Sequence, residues 1–227
     1  MVKPTRILFQ GDSITDGNRY KDEASRWDQN HQIGHSYAFI AAGSMGARYP
    51  ERHLQFFNRG VSGDTVQRLD TRWEDAALLM HPAFISILIG TNDVSRCLNE
   101  NRDPGAFCTE YERLYRRILD RSLEEDPAVR FILMEPFRLI LPERGELPRQ
   151  QTAASVLAQL QGAVRRIAAD YPAVFVPLQQ VFDNAVSRRE PAYWMWDGVH
   201  PTPAGHFLIA EAWLQAAEGF VAGGTAG

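Results

Sequence analysis

The chain has 227 residues, of which 44% are hydrophobic and 23% are charged, and its net charge at neutral pH is −4. A chain of this length can bury a sizeable core and fits one large domain or two small ones. Its basic residues are scattered among acids rather than gathered in a stripe, which excludes nucleic acid and anionic membranes as expected partners. The opening stretch MVKPTRILFQGDS has too short an apolar run for a signal-peptide core or a membrane span.

Short apolar runs alternate with longer amphipathic patterns along the chain. In chain order, the predicted strands are residues 6–9, 54–57, 84–89, 130–134 and 174–176. Apolar residues at helical spacing predict helices around 111–119 and 156–167, and a last helix is predicted to begin near Pro203. Strands that are apolar on both faces are typical of a parallel sheet covered by helices. The sequence therefore predicts one three-layer α/β/α domain over residues 1–220, followed by a flexible tail at 221–227.

The loops at the predicted strand ends carry most of the polar chemistry. They read GDSITDG, NRGVSGDT, GTNDVS and EPF after the first four strands, and WDGVHPT precedes the last helix. In an open α/β sheet the ligand site lies at the carboxyl ends of the strands, where such loops gather. We therefore interpret these loops together, as parts of one site.

Three residues in these loops have the types that acyl transfer requires. A serine hydroxyl is a poor nucleophile without a base in hydrogen-bond reach, and Ser13 and His200 supply the two groups. Asp197 stands three residues before His200, close enough to orient the imidazole. The oxyanion that forms needs hydrogen-bond donors, for which the backbone N–H groups of Ser13 and Gly60 and the side-chain amide of Asn92 are candidates.

Each of these motifs also has an ordinary structural interpretation. A serine after GD is commonly a loop or helix-cap residue, NRG is commonly a turn, and a lone DxxH is commonly a polar loop. The serine also lacks the GxSxG setting of the α/β-hydrolases. What favours the catalytic interpretation is that all the motifs fall at predicted strand ends, in a consistent order.

The four blocks around Ser13, Gly60, Asn92 and His200 resemble those of the SGNH (GDSL) hydrolases. The resemblance extends from about residue 5 to residue 215. It implies a flavodoxin-like five-stranded parallel sheet, Ser13 as nucleophile, His200 as base with Asp197 as its partner, and an oxyanion hole from Ser13, Gly60 and Asn92. Within that family, RWEDAALLMHPAFISILIGTNDV, ILMEPF and WDGVHPTPAGH are similar to xylan acetylesterases and related carbohydrate deacetylases. Residues 18–36 depart from that likeness.

Substrate contacts are predicted at Asp12, Trp196 and His35. Asp12 also suits a structural role, bracing its loop by accepting backbone N–H groups, and the same interpretation applies to Asp64 and Asp93. The aromatic run YWMW at 193–196 is typical of core or lid material, with Trp196 the best candidate for a pocket wall. Arg19, Tyr20 and Trp27 are candidates for a lid.

His31 and His35 share the i, i+4 spacing that could indicate zinc with Asp12 or Asp197. Because Gly34 interrupts a helix there and no HExxH surrounds them, loop histidines near the cleft are favoured. No metal and no other cofactor is predicted.

The predicted function is a serine esterase that hydrolyses short acyl esters, acetyl foremost, of a small molecule or oligosaccharide. The alternatives are a lysophospholipase, thioesterase or arylesterase with the same machinery, a carbohydrate-binding protein without turnover, and a metal hydrolase. The chain's two cysteines, Cys97 and Cys108, are expected to be reduced, which favours the cytoplasm. A homo-oligomer is compatible with the sequence.

Overall fold

The structure is a computed structural model that describes residues 4–22 and 29–222. Within these residues, a five-stranded parallel sheet has the order β2-β1-β3-β4-β5. Its strands are β1 (Thr5–Gly11), β2 (Leu54–Asn58), β3 (Phe84–Leu88), β4 (Arg130–Met134) and β5 (Ala173–Val176). All five lie where the sequence predicts them, because each is a short apolar run bounded by polar or turn-forming residues.

The helices connect the strands and cover the sheet. In chain order they are α1 (Ser13–Asp16), α2 (Gln29–Ile33), α3 (Tyr37–Arg48), α4 (Val66–Thr71), α5 (Trp73–Ala76), α6 (Thr91–Asn99), α7 (Pro104–Glu125), α8 (Leu147–Asp170), α9 (Leu178–Val186), α10 (Pro191–Trp194) and α11 (Pro203–Ala222). The predicted patterns at 111–119 and 156–167 lie inside α7 and α8, and α11 begins at the predicted Pro203. The flexible tail was predicted to begin at residue 221, but α11 extends through Ala222. The rest of the predicted tail, residues 223–227, lies outside the described residues, and so does Trp27, a predicted lid residue.

Each face of the sheet has its own hydrophobic core, because successive strand residues point to opposite sides. One core joins Leu8, Ile85 and Phe131 of the strands to side chains of α4, α6, α7 and α8. The other joins Phe9 and Ile132 to side chains of α3, α9, α10 and α11. The three-layer fold inferred from the sequence is therefore confirmed.

The strand order places the candidate site. The chain runs from β1 outwards to β2 and then returns to the other side of β1 as β3. The loops after β1, β2 and β3 therefore leave three neighbouring strands at their carboxyl ends, where open α/β sheets bind their ligands. Ser13, Gly60 and Asn92 lie in or just beyond these loops.

Candidate active site

Ser13 is the first residue of a one-turn helix that begins directly after β1. The preceding Asp12 caps this helix, since its Oδ1 accepts the Ile14 N–H at 3.0 Å. The N–H of Ser13 is a first-turn amide and therefore has no acceptor within the helix. Asp12 can therefore brace its loop, as predicted, while Ser13 acts as a nucleophile. The cap fixes the backbone that presents the serine hydroxyl.

The structure brings Ser13 together with the two distant residues predicted to activate it. Ser13 Oγ lies 2.9 Å from His200 Nε2, although the two residues are 187 positions apart. His200 Nδ1 lies 2.7 Å from Asp197 Oδ2. With its hydrogen on Nδ1, the ring donates to Asp197 and accepts the Ser13 hydroxyl at Nε2, as proton transfer from serine requires.

Asp197 is also held by the backbone of its own loop. Its Oδ1 accepts the N–H groups of Val199 at 2.9 Å and His200 at 2.7 Å. Partial burial acts to raise the pKa of this carboxyl, but the hydrogen bonds from His200 and Val199 outweigh it and leave the pKa lowered. Asp197 therefore stays ionised and can stabilise a positive imidazole.

Of the other predicted oxyanion donors, Gly60 lies in the loop after β2 and packs against the helix that carries Ser13, whereas Asn92 is the second residue of α6. The side-chain amide of Asn92 donates one N–H to the Asp64 carbonyl at 3.0 Å, which orients the group and leaves its second N–H. Gly60 packs so tightly against α1 that a Cβ added there would lie 2.5 Å from the Asp16 backbone nitrogen. The Gly60 N–H itself donates to Asn58 Oδ1 at 2.9 Å.

Asn58 connects three segments around the site, a role that the sequence analysis missed. Its Nδ2 donates to the Thr15 carbonyl at 2.6 Å and to the Ile33 carbonyl at 2.8 Å, while its Oδ1 accepts from Gly60. The available signal was the spacing in NRG, since an asparagine two residues before a glycine commonly accepts that residue's N–H in an Asx turn.

Asp16 makes a second connection between α1 and the loop after β2. It accepts the N–H of Ser62 at 3.0 Å and the Ser62 hydroxyl at 2.9 Å, and Lys21 Nζ lies 3.1 Å away. Burial alone would raise the pKa of Asp16, but the Ser62 hydrogen bonds and the Lys21 charge outweigh it, so the pKa is lowered. The ionised Asp16 carboxylate, through its contacts with Ser62 and Lys21, thus fixes the helix that carries Ser13.

The acids Asp12 and Asp93 are buried beneath the site. Asp93 accepts the Val66 N–H with both carboxylate oxygens at 3.1 Å, which ties the start of α4 to that of α6. Burial raises the pKa of each of these two carboxyls to about 7, against the hydrogen bonds from Ile14 and Val66. Asp64, the third acid with a predicted structural role, accepts from Arg72 Nε at 2.7 Å.

The aromatic run before Asp197 divides between core and surface. Trp194 and Met195 are buried, whereas Tyr193 and Trp196 are exposed. The Trp196 ring stacks on His200 with its centroid 5.3 Å away and an interplanar angle of 17°, and it is 55% exposed. Of the four, Trp196 is thus the one that presents an aromatic face beside the imidazole.

The predicted loop histidines take different positions. His31 lies in α2 and His35 follows Gly34, and both are exposed. His206 of α11, which the sequence analysis did not single out, accepts the Tyr37 N–H at Nδ1 over 3.2 Å. Burial, helped by the neighbouring His35 and His200, lowers the pKa of His206 to about 4. Within residues 4–22 and 29–222, no group of three or more His, Cys, Asp or Glu side chains is arranged to hold a metal ion.

Two surface grooves lie outside this site. One, of about 590 Å³, runs between α7 and α8, and its lining includes Cys108, Glu112 and Arg166. The other, of about 480 Å³, runs between α8 and α9 next to Arg138 and Leu139. Neither is lined by Ser13 or His200, so the hydrogen-bonded residues rather than the grooves mark the candidate site.

The geometry of the candidate site agrees with the family and the relative that this chain resembles. Residues 9–208 match the GDSL-like Lipase/Acylhydrolase family. An acetylxylan esterase from Geobacillus stearothermophilus is 34% identical over 213 residues, which cover 92% of each chain.

Solved structures of hydrolases are similar to this chain over most of its length. A single-residue variant of Axe2, an acetyl xylan esterase from Geobacillus stearothermophilus, has a TM-score of 0.79 at 34% identity and covers 93% of this chain and 94% of its own. LAE5, an alpha/beta hydrolase from the metagenome of Lake Arreo in Spain, has a TM-score of 0.80 at 31% identity, with 94% and 95% covered.

Two further observations bear on the sequence analysis. Cys97 and Cys108 are buried and free, as expected of reduced thiols. Across the described part of the chain, no helix combines the length and hydrophobicity needed to cross a bilayer. With its family match, its sequence relative and its structural neighbours in agreement, the chain belongs to the GDSL-like lipase/acylhydrolase family, the SGNH serine esterases.

Proposed function

We propose that this esterase removes short acyl groups, acetyl foremost, from hydroxyl groups of carbohydrates through an acyl-enzyme on Ser13. The observation that carries the proposal is the continuous hydrogen-bonded chain from Ser13 Oγ through His200 to Asp197, with contacts of 2.9 and 2.7 Å. These are the distances at which a base can take a proton from its nucleophile in the ground state.

In the first half-reaction, Ser13 Oγ attacks the ester carbonyl carbon and its proton passes to His200 Nε2. The positive imidazole is stabilised by Asp197, whose carboxylate is kept ionised by backbone N–H groups. The tetrahedral intermediate collapses as the bond to the sugar oxygen breaks, and His200 returns the proton to that oxygen. The sugar alcohol leaves and the acetyl group remains on Ser13.

In the second half-reaction, water takes the place of the sugar alcohol. His200 accepts a proton from the water, whose oxygen attacks the acetyl carbonyl, and a second tetrahedral intermediate forms. When this intermediate collapses, the bond to Ser13 Oγ breaks, the proton returns to the serine and acetate leaves. All of these steps use groups of the chain itself.

The oxyanion in both half-reactions would be held by amide hydrogens. The Ser13 N–H and the second N–H of the Asn92 side chain are the main donors in this proposal. The Gly60 N–H would contribute by sharing its hydrogen between Asn58 Oδ1 and the oxyanion. Donors that are fixed in advance are worth most, since they need no reorganisation as the charge develops.

The proposed substrate is an acetylated sugar or oligosaccharide, and two observations support it. The acetylxylan esterase that is 34% identical to this chain is named for such a substrate. Trp196 presents an exposed ring beside His200, where a sugar ring could stack. In this proposal His35 contacts the substrate from the segment between α2 and α3, and Asp12 acts through the cap of α1, because it is buried. Cytoplasmic placement and a homo-oligomer remain predictions.

The test is acetate release from acetylated xylo-oligosaccharides, compared with other acetylated sugars and with nitrophenyl esters of increasing chain length. We expect acetyl esters to give the highest kcat/KM and Ser13→Ala to abolish release. A preference for acyl chains of about eight carbons or more would contradict the acetyl proposal and favour a lysophospholipase or thioesterase. Binding of the sugars without turnover would contradict the enzyme itself.

A further inference from the structure

Arg72, between α4 and α5, connects two segments of the candidate active site that are far apart in the sequence. Its Nε donates to Asp64 Oδ2 at 2.7 Å, in the loop after β2. Its Nη1 donates to Gln10 Oε1 at 3.0 Å, in β1. Gln10 stands three residues before Ser13. One guanidinium group therefore holds both the strand that leads to the serine and the loop after β2.

Asp64 extends this connection to Asn92. Its carboxylate accepts from Arg72, and its backbone carbonyl accepts the Asn92 side-chain amide at 3.0 Å. The Asp64 N–H donates to the Val61 carbonyl at 3.1 Å, and the Val61 N–H donates to the Gly11 carbonyl at 3.0 Å. The carbonyl that orients the Asn92 amide is thus fixed through both the side chain and the backbone of its own residue.

The contacts of Arg72 are shielded from water. Asp64 is 4% exposed, and Gln10 is fully buried and donates in turn to the Ala76 carbonyl at 2.7 Å. A carboxylate that is buried this far needs its cation, because an unpaired buried charge is costly. Without Arg72, the Asp64 carboxylate would have to move toward water or other donors, and the carbonyl of the same residue would move with it.

We propose that Arg72 is a positioning residue for the oxyanion hole. By bonding to Asp64 and Gln10 at the same time, its guanidinium sets the Asp64 carbonyl, and with it the Asn92 amide, relative to the strand that leads to Ser13. The inference rests on the proposed function, in which Asn92 donates to the oxyanion. Arg72 itself needs no contact with the substrate for this role.

The Asn92 amide is sensitive to such an anchor because its two N–H groups belong to one planar group. When one N–H is bonded to the Asp64 carbonyl, the direction of the other is fixed. A donor contributes most to catalysis when it is aimed in advance at the position that the oxyanion will occupy. A shift of the Asp64 carbonyl would therefore turn the second N–H away from that position and leave the contact between Ser13 and His200 in place.

The experiment measures kcat and KM for an acetyl ester in Arg72→Met, which keeps an unbranched side chain and removes both hydrogen bonds. We expect kcat to fall by about tenfold, less than the roughly 100-fold that a displacement of about 1 Å can cost. KM should stay within about twofold, because the oxyanion contact is made only in the transition state. Since the oxyanion forms in both half-reactions, kcat should fall whichever of them is slower.

The double variant Arg72→Met/Asn92→Ala separates this role from other effects of Arg72. If Arg72 acts by placing the Asn92 amide, its removal should change kcat by less than about twofold once that amide is absent. A loss that multiplies with that of Asn92→Ala would mean that Arg72 acts on Ser13, through its charge or on the fold as a whole.

Arg117→Met is the matched control. Arg117 of α7 donates through its Nε to the buried Asp70 of α4 at 2.9 Å, so it too pairs with a buried acid close to Arg72 in the chain. Within the described residues, no side-chain hydrogen bond joins this pair to Asp64 or Asn92. The melting temperature should fall in both single variants, since each takes a partner from a buried carboxylate. In Arg117→Met, kcat should match the parent.

Arg72→Lys is a milder variant that carries the same test if Arg72→Met does not fold. It keeps the charge and a donor for Asp64 but lacks the rigid fork that reaches Gln10 as well. We expect a smaller loss of kcat, about threefold, which should likewise be absent in the Asn92→Ala background.

An unchanged kcat in Arg72→Met would overturn the inference, as it would in Arg72→Lys if only that variant folds. So would a multiplicative loss in the double variant, or an equal loss of kcat in Arg117→Met. Failure of the proposed function would appear elsewhere, as activity that survives Ser13→Ala or as an unchanged kcat in Asn92→Ala. The two failures are therefore distinguishable.

Discussion

The two halves of the candidate site are held in place in different ways. The nucleophile half, with Ser13 and Asn92, lies at the sheet and is tied together by buried side chains such as Asn58 and Asp93, which link the loops after three strands. The base half, with Asp197 and His200, lies in one loop between α10 and α11. That loop is closed by the short Met195–Pro201 bridge and by the Trp196 N–H to the His200 carbonyl at 3.2 Å. The His200 side chain is 36% exposed.

This contrast indicates a division of labour. Groups that stabilise developing charge are effective only when their dipoles are fixed in advance, so a cross-linked setting suits Ser13 and Asn92. A base that takes and returns a proton must exchange it between the serine, the leaving group and water, so a position near solvent suits His200. Four variants test this contrast.

The largest effect is expected from Ser13→Ala, which removes the proposed nucleophile and leaves its surroundings unchanged. The Oγ contact that is lost is the one to His200, so the fold and the melting temperature should stay close to those of the parent. Acetate release should fall by about 10⁴-fold or more, since no other residue can form the acyl-enzyme. Retention of more than a few per cent of the activity would remove Ser13 from the mechanism.

Asn92→Ala removes a donor from the cross-linked half. We expect kcat to fall by about 100- to 1,000-fold, or about 2.7–4 kcal/mol, with a smaller change in KM, as for other lost oxyanion donors. Asn99→Ala, at the far end of α6, is the matched control, since its side chain contacts the exposed Arg149 instead. A loss below about threefold in Asn92→Ala would exclude the residue from the oxyanion hole.

Asp12→Asn tests the energetic cost of the buried acids. Burial raises the pKa of Asp12 from 3.8 to about 7, so between about pH 4 and 7 the folded state holds a proton that the unfolded chain has released. This residue therefore makes stability fall as the pH rises through that window. An asparagine can still accept the Ile14 N–H and does not ionise, so the stability of the variant relative to the parent should rise by about 3 kcal/mol between pH 4.5 and 7.5.

The measurement for Asp12→Asn is urea unfolding at the two pH values. A difference between variant and parent that stays constant with pH would contradict the expected linkage. His206 of α11 should have the opposite effect on the pH dependence of stability. Burial lowers its pKa from 6.5 to about 4, so the stability that the neutral side chain contributes is lost as the pH falls through that range.

The smallest effect is expected from Trp196→Leu at the exposed edge of the base half. Loss of the stacking face should raise KM for acetylated oligosaccharides by about fivefold, or about 1 kcal/mol, and leave kcat within about twofold. Tyr193→Leu is the control, because that exposed ring packs on Trp194 rather than on His200. Equal effects of the two substitutions on KM would argue against a specific role for Trp196.

Much of the fold and the identity of the candidate residues could be predicted from the sequence. Buried strands and amphipathic helices leave periodic patterns, and the blocks around Ser13, Gly60, Asn92 and His200 stand at strand ends in order. Hydrogen-bond partners leave no such pattern. That Asn58 also donates to the Thr15 and Ile33 carbonyls, or that Asp93 accepts the Val66 N–H, depends on segments that are far apart in the chain and meet only in the folded protein.

The two separate cores have a consequence for how the enzyme would lose activity. The loop with His200 is anchored through Trp194 and Met195 to the core that includes α11, whereas α4, α6 and α7 belong to the opposite face. Partial opening of α11 would withdraw the imidazole while Asn92 and the helices of the opposite face stay protected from amide exchange. In a denaturant titration, catalysis should therefore disappear before the bulk of the secondary structure does.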